Sequence, residues 1–215
     1  MTASEENYIK VIYHLSHVSP KGVNTNAIAG MIETKASSVT DMIKKLTEKG
    51  LLIYQKYQGV NLTEHGLLTA KMIVRKHRLW EVFLVEKLQF SWDEVHEIAE
   101  ELEHIKSEKL INKLDAFLGF PTEDPHGDEI PNKKGEILII DKKLLSDGLV
   151  DKKYICIGVK DTSKEFLQYL DKQKISLGTK LKIVQKEIFD NTFTVKINDK
   201  TVTISNKIAT NLYVK

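Results

Sequence analysis

The residues best suited to chemistry lie in one acidic stretch, His96-Glu97-Ile98-Ala99-Glu100-Glu101-Leu102-Glu103-His104. On a helix, Glu100, Glu103 and His104 fall at i, i+3 and i+4 and share one face. His96 lies earlier, on a neighbouring stripe. The apolar stretch before it carries His77 and Glu81, again at i and i+4. Two carboxylates and an imidazole on one face can hold a divalent cation of the manganese or iron kind, and the lack of thiolate disfavours soft metals. The plainer alternative is an acidic, solvated helix with incidental histidines.

A second constellation lies nearer the N-terminus. Lys35, Ser37, Ser38, Thr40, Asp41, Lys44 and Lys45 stand at or after the start of a short helical pattern. Hydroxyls and a carboxylate can read base edges, whereas lysines hold phosphates. Lys56 sits in QKYQG, between two short β-prone runs, where a hairpin would present it to DNA. The alternative here is an ordinary helical hairpin with a polar outer face.

The elements that must position these residues follow from periodicity. Residues 4–18 place Tyr8, Ile9, Ile12, Leu15 and Val18 near helical spacing, with Ser4 as cap. A short helix from Asn24 or Thr25 is followed by one over Ala36–Lys49, with Val39, Ile43 and Leu46 inward and Gly50 as its stop. With strands at Leu51–Tyr54 and Val60–Thr63, this is a winged helix-turn-helix. A long helix opens at Thr63 and carries Trp80, Phe83 and Leu84, which suit core or interface. Ser91-x-x-Glu94 is a capping box for a helix running to about Ile105, and a further helix spans Ser107–Leu118. Pro121–Lys134 has no periodicity and reads as a linker. Tyr154–Val159, Lys180–Gln185, Thr192–Ile197 and Thr201–Ile204 are β-rich runs, separated by turns such as Asn198-Asp199, and fit a small barrel.

Composition bounds the function. The 215 residues are 41% hydrophobic and 29% charged, so the chain can bury cores and is not disordered. No apolar run reaches the roughly 18 residues of a membrane helix, and the acidic start lacks a signal core, which points to a cytoplasmic protein without membrane partners. One cysteine, Cys156, excludes an internal disulfide or a Cys-cluster zinc site; in the apolar run YICIGV it suits a buried small hydrophobe. The net charge of +2 conceals +5 over residues 1–80, −10 over 81–131 and +7 over 132–215. Basic ends suit polyanions and an acidic middle suits cations. A helical metallohydrolase or di-metal oxidase is a rival, but no nucleophile–base pair or Gly-rich phosphate loop supports it. A winged-helix regulator independent of metal is another.

The motifs ENYIKVIY, SSVTDMIKKLTEKGLLIYQKYQGVNLTEHG, RKHRLWEVFL, VHEIAEELEH and DPHGDEIP, with QYLDKQKISLGTKLKIV near the C-terminus, together make the chain resemble the diphtheria toxin repressor family of manganese- and iron-dependent transcriptional regulators. The resemblance runs essentially end to end. It implies an α+β, mostly helical fold: a winged helix-turn-helix (1–63), a helical metal-binding and dimerisation domain (64–122), a linker (123–134) and a small SH3-like, FeoA-like barrel (135–215). It implies a non-enzymatic repressor that binds operator DNA as a metal-loaded homodimer, with no organic cofactor. By position, Asn7, Glu100, Glu103 and His104 correspond to the family's primary metal site. Asn7 stands where Met or Asp is usual, and would join the first helix to the metal helix. Glu100 stands where the manganese branch has Glu and the iron branch Cys, which favours Mn2+, with Fe2+ next. His77, Glu81 and His96 correspond to an ancillary site completed from the barrel by Glu165, whereas Thr162 replaces the other barrel ligand. The two-metal arrangement of the short manganese regulators needs an acid where this chain has Lys10, so two separated sites are expected.

Overall fold

The computed structural model describes residues 1–55, 58–198 and 200–215. Lys56 and Tyr57 of the expected wing and Asp199 of the expected turn lie outside the described residues. Two compact units form, each from several stretches of chain: 1–77, 100–113 and 131–137 in the first, 78–99, 114–130 and 138–215 in the second. These units cut across the segment limits read from the sequence.

The first unit begins with α1 (Ala3–Val18). Thr2, not Ser4, caps it through a capping box with Glu5. Tyr8, Ile9, Ile12 and Tyr13 are buried as helical spacing requires, while Val18 is exposed at the last residue. Asn24 caps α2 (Thr25–Ile32), and the left-handed Glu33 ends it. After that turn, α3 (Ala36–Glu48) buries Val39, Ile43 and Leu46. Each fully buried aliphatic side chain of this kind contributes about 1.5–3 kcal/mol. Strands β1 (Leu52–Gln55) and β2 (Gly59–Leu62) pair antiparallel, Leu52 opposite Leu62. The outcome is a winged helix-turn-helix. Thr63 then receives the Gly66 N–H and opens α4 (Glu64–Leu88). Gly66 is required there, because a Cβ would lie 2.0 Å from the Leu51 carbonyl oxygen.

Helix α5 covers Val95–Leu102 and α6 covers Glu108–Phe117. The former ends earlier than its periodicity suggests, so Glu103 and His104 lie in the turn that follows and not on the helix. The second unit contains β3 (Lys143–Leu144), β4 (Lys153–Val159), α7 (Lys164–Gln173), β5 (Lys180–Lys186), β6 (Phe193–Ile197), β7 (Lys200–Ile204), α8 (Asn206–Ala209) and β8 (Leu212–Val214). The strands form an antiparallel six-stranded sheet in the order β3-β8-β4-β5-β6-β7. Strand alternation puts Phe193, Val195 and Ile197 inward with Ile183, Leu181 and Leu170. Cys156 is buried in this core, and burial pushes its thiol up to about 11, which suits a structural role. No helix among the described residues is long and apolar enough to cross a membrane.

The stretch expected to be a linker is partly buried. Asp124, His126 and Ile130 are all buried. Asp124 Oδ1 accepts the N–H groups of His126 (2.8 Å) and Asp128 (3.0 Å), so the side chain builds the turn. The Val159 N–H donates to the His126 carbonyl at 2.9 Å. Only glycine allows that approach: Gly127 has φ +85, and a Cβ would meet the Ile157 carbonyl oxygen at 2.1 Å. Lack of periodicity here signals a built turn, not a spacer.

Candidate metal centre

Among the described residues, one cluster of acids and histidines stands out in each unit, and the two differ in kind.

In the first unit the cluster is closed by direct contacts. Lys10 Nζ lies 2.7 and 2.8 Å from the two carboxylate oxygens of Glu103 and 3.1 Å from Glu100 Oε1. His77 Nδ1 is 2.7 Å from Glu103 Oε2. Burial raises the Glu103 carboxyl, but His77 and Lys10 outweigh it and hold the group below its ordinary value. His104 Nδ1 lies 2.7 Å from Glu6 Oε2, with Lys76 at 3.6 Å from the same oxygen. Helix α1 thus meets this segment through Glu6 and Lys10. The expected contributor, Asn7, is exposed. It occupies the outward side of α1, because Tyr8, Ile9 and Ile12 fix the inward side. The Lys10 ammonium stands between Glu100 and Glu103, where a divalent ion is expected from the sequence, and offsets one of their two negative charges.

In the second unit the contacts are looser. Glu81 Oε1 is 3.4 Å from His96 Nδ1, and Glu81 Oε2 is 3.8 Å from His126 Nδ1. Glu81, Asp124 and His126 are buried, and each offers one ligand atom within 4.8 Å of the others. His126 Nε2 is 2.9 Å from the Trp92 carbonyl oxygen. A carbonyl only accepts, so Nε2 carries the proton and, in the neutral ring, the Nδ1 lone pair faces Glu81. The Trp92 ring also stacks on His126, interplanar angle 11°. Separations of 3.4 and 3.8 Å are long for hydrogen bonds. Atoms that share one ion at about 2.1 Å lie about 3.0–3.7 Å apart, so the 3.4 Å pair falls inside that range and the 3.8 Å pair just outside it.

The electrostatics agree. Burial, then Glu81 and Asp128, push the Asp124 carboxyl well up, only partly offset by Arg78 and His126. Burial lowers the His126 imidazole, but Glu81 and Asp124 outweigh it and hold it up to about 9. Buried carboxylates that cannot comfortably ionise together, beside an imidazole, make a centre that a dication would relieve.

Of the residues expected at the ancillary site, Glu81 and His96 come together in the second unit. His77 pairs with Glu103. Glu165 is exposed on the first turn of α7, and Thr162 is exposed just before it. Asp124 and His126 were missed by sequence reasoning. Their only signal was an Asp-x-His pair inside DPHGDEIP, without helical or strand spacing to give it a face.

On α3, the side chains of Lys35, Ser37, Ser38, Thr40, Asp41, Lys44 and Lys45 are exposed, opposite the buried stripe. Lys45 Nζ lies 2.9 Å from Glu5 Oε1, and Thr40 Oγ1 donates to the Ala36 carbonyl at 2.9 Å.

The chain matches three family models: the N-terminal DNA-binding domain of the iron-dependent repressors over residues 1–60, their metal-binding and dimerisation domain over 63–132, and the FeoA domain over 143–215. An uncharacterised helix-turn-helix transcriptional regulator of Methanocaldococcus jannaschii is 36% identical over 118 residues, which cover 55% of this chain and 94% of that protein. This chain belongs to the iron-dependent repressor family. The iron-dependent repressor IdeR of Mycobacterium bovis is 32% identical over 59% of this chain and 54% of its own length. Among solved structures, a manganese-dependent transcriptional repressor in complex with manganese is 34% identical, covers 98% of both chains and superposes with a TM-score of 0.83. The family is the one that the sequence motifs resemble, in its long form with the C-terminal FeoA domain.

Proposed function

We propose that this chain is a divalent-metal-responsive repressor that binds operator DNA as a homodimer in the cytoplasm, acting by binding and not by catalysis. Its metal is held by Glu81, Asp124 and His126. The observation that carries this reading is the buried set of ligand atoms of Glu81, Asp124 and His126, all within 4.8 Å of one another, with the His126 tautomer set by Trp92. Oxygen and imidazole donors without thiolate favour Mn2+, with Fe2+ next. A bound dication would add to the positive charge that Arg78 and His126 already bring to Glu81 and Asp124.

The chain's own residues do the rest. Asp124 builds the turn that presents His126, and Trp92 fixes its ring. In the same unit Phe117 (65% exposed), Phe120 (67%) and Leu88 (53%) expose apolar side chains, and the Phe83 ring packs against Phe117; we take these as an apolar surface. This surface suits the dimer contact. A two-fold dimer would offer two α3 helices to major grooves about 34 Å apart or a multiple of it. Lys35 and Lys44 hold phosphates, and Ser37, Ser38 and Asp41 face the bases. Lys45 and Thr40 make the same kinds of contact, although each is also engaged within the protein.

Fluorescence anisotropy with an operator-bearing duplex tests this reading. Mn2+ should switch binding on and excess chelator should switch it off. Glu81→Gln and His126→Ala should remove the response. Undiminished specific binding in chelator would refute it.

A further inference from the structure

We propose that Lys10 is a built-in cation that takes the place of a divalent ion between Glu100 and Glu103, so that this chain joins α1 to residues 100–104 without metal. The proposal deepens the reading of the chain as a metal-responsive repressor, and it leaves the sensing of metal to the Glu81–Asp124–His126 centre.

Lysine is almost never buried unless paired. Here Lys10 stands between Ile9 and Ile12 on the inward side of α1, its side chain only 10% exposed. The ammonium donates hydrogen bonds to Glu103 Oε2 at 2.8 Å and Glu100 Oε1 at 3.1 Å, and lies 2.7 Å from Glu103 Oε1 as an ion pair. A divalent ion bound to these same oxygens would sit at about 2.1 Å from them. It would therefore lie within van der Waals contact of the ammonium nitrogen, a second positive centre. To admit an ion the chain must first evict Lys10, which strands a buried charge on α1.

The neighbouring contact has the same character. Glu6, also on α1, holds His104 Nδ1 at 2.7 Å. The Lys10 ion pair and the His104–Glu6 contact thus make the link that a metal with a first-helix ligand would otherwise make. The link persists in the apo protein, and the winged helix-turn-helix keeps its attachment to residues 100–104 whatever the metal supply. Lys10 consequently sets how many ions each chain can take up.

Equilibrium dialysis of the full-length chain against Mn2+, with metal quantified per folded chain, tests this. Wild type should hold about one ion per chain and Lys10→Glu about two, since the substitution removes the competing charge and adds a ligand. Combining Lys10→Glu with Glu103→Gln should return the count to that of wild type. Glu103→Gln alone should leave it unchanged. No gain in Lys10→Glu, or loss of an ion in Glu103→Gln alone, would overturn the proposal. If Lys10→Glu does not fold, Glu103→Gln decides by itself: an unchanged count supports the built-in cation and a lost ion refutes it. The metal centre stands or falls separately, on loss of an ion in Glu81→Gln.

Discussion

Replacing Asp124 with asparagine should separate stability from metal response. Asn keeps the Oδ1 acceptor, so the two turn hydrogen bonds from the His126 and Asp128 N–H groups survive. What disappears is a buried charge. The Asp124 carboxyl is held well up by burial and by Glu81 and Asp128, so its ionised form opposes the apo fold at neutral pH. Desolvating such a carboxylate costs several kcal/mol. Against this stand a 3.5 Å pairing with Arg78 Nε, of about 0.5–1 kcal/mol, and attraction to His126. The expected balance is an apo protein more stable by about 1–2 kcal/mol, a rise in Tm of roughly 2–4 °C per kcal/mol for a chain of this size. Wild type should gain about 2.7 kcal/mol from Mn2+ at a hundred times its Kd, and Asp124→Asn should gain almost none. Thermal melts in chelator and in Mn2+ measure both effects on the same samples. A destabilised apo variant, or one that keeps its full Mn2+ shift, would show that Asp124 is an ordinary structural acid.

Three further outcomes follow from the geometry. Lys44→Ala should weaken binding to all duplexes and lower the salt slope by about one unit, whereas Lys45→Ala should lower it less, because Lys45 is shared with Glu5; equal slopes from salt titrations would contradict this. Glu5 is held down to about 2, chiefly by Lys49 and Lys45, so its stabilisation is complete above about 4.5 and is lost as pH falls toward 2; acid titrations of wild type and Glu5→Gln should converge at low pH, and parallel curves would argue against the pairing. Cys156→Ala should cost about 1 kcal/mol in denaturant unfolding through lost packing while leaving the Mn2+ response intact, and a lost response would reveal a ligand or redox role.

The sequence by itself determined the winged helix-turn-helix and the identity of the β-rich C-terminal domain. The reason is local: Val39, Ile43 and Leu46 recur at helical spacing, Phe193, Val195 and Ile197 alternate, and the face opposite α3's buried stripe is exposed by elimination. It also marked Glu81 and His96 as candidate donors by their types. Only the tertiary structure decided which of them share a centre. Helical spacing put Glu100, Glu103 and His104 on one face, but α5 ends at Leu102 and Lys10, ninety residues away, fills the space between the glutamates. Asp124 and His126 lie in a stretch whose periodicity is zero, and they meet Glu81 because Gly127 lets the turn press against β4. A local pattern can show what a residue could bind. Which charge reaches it first depends on long-range packing, and no spacing within one helix encodes that.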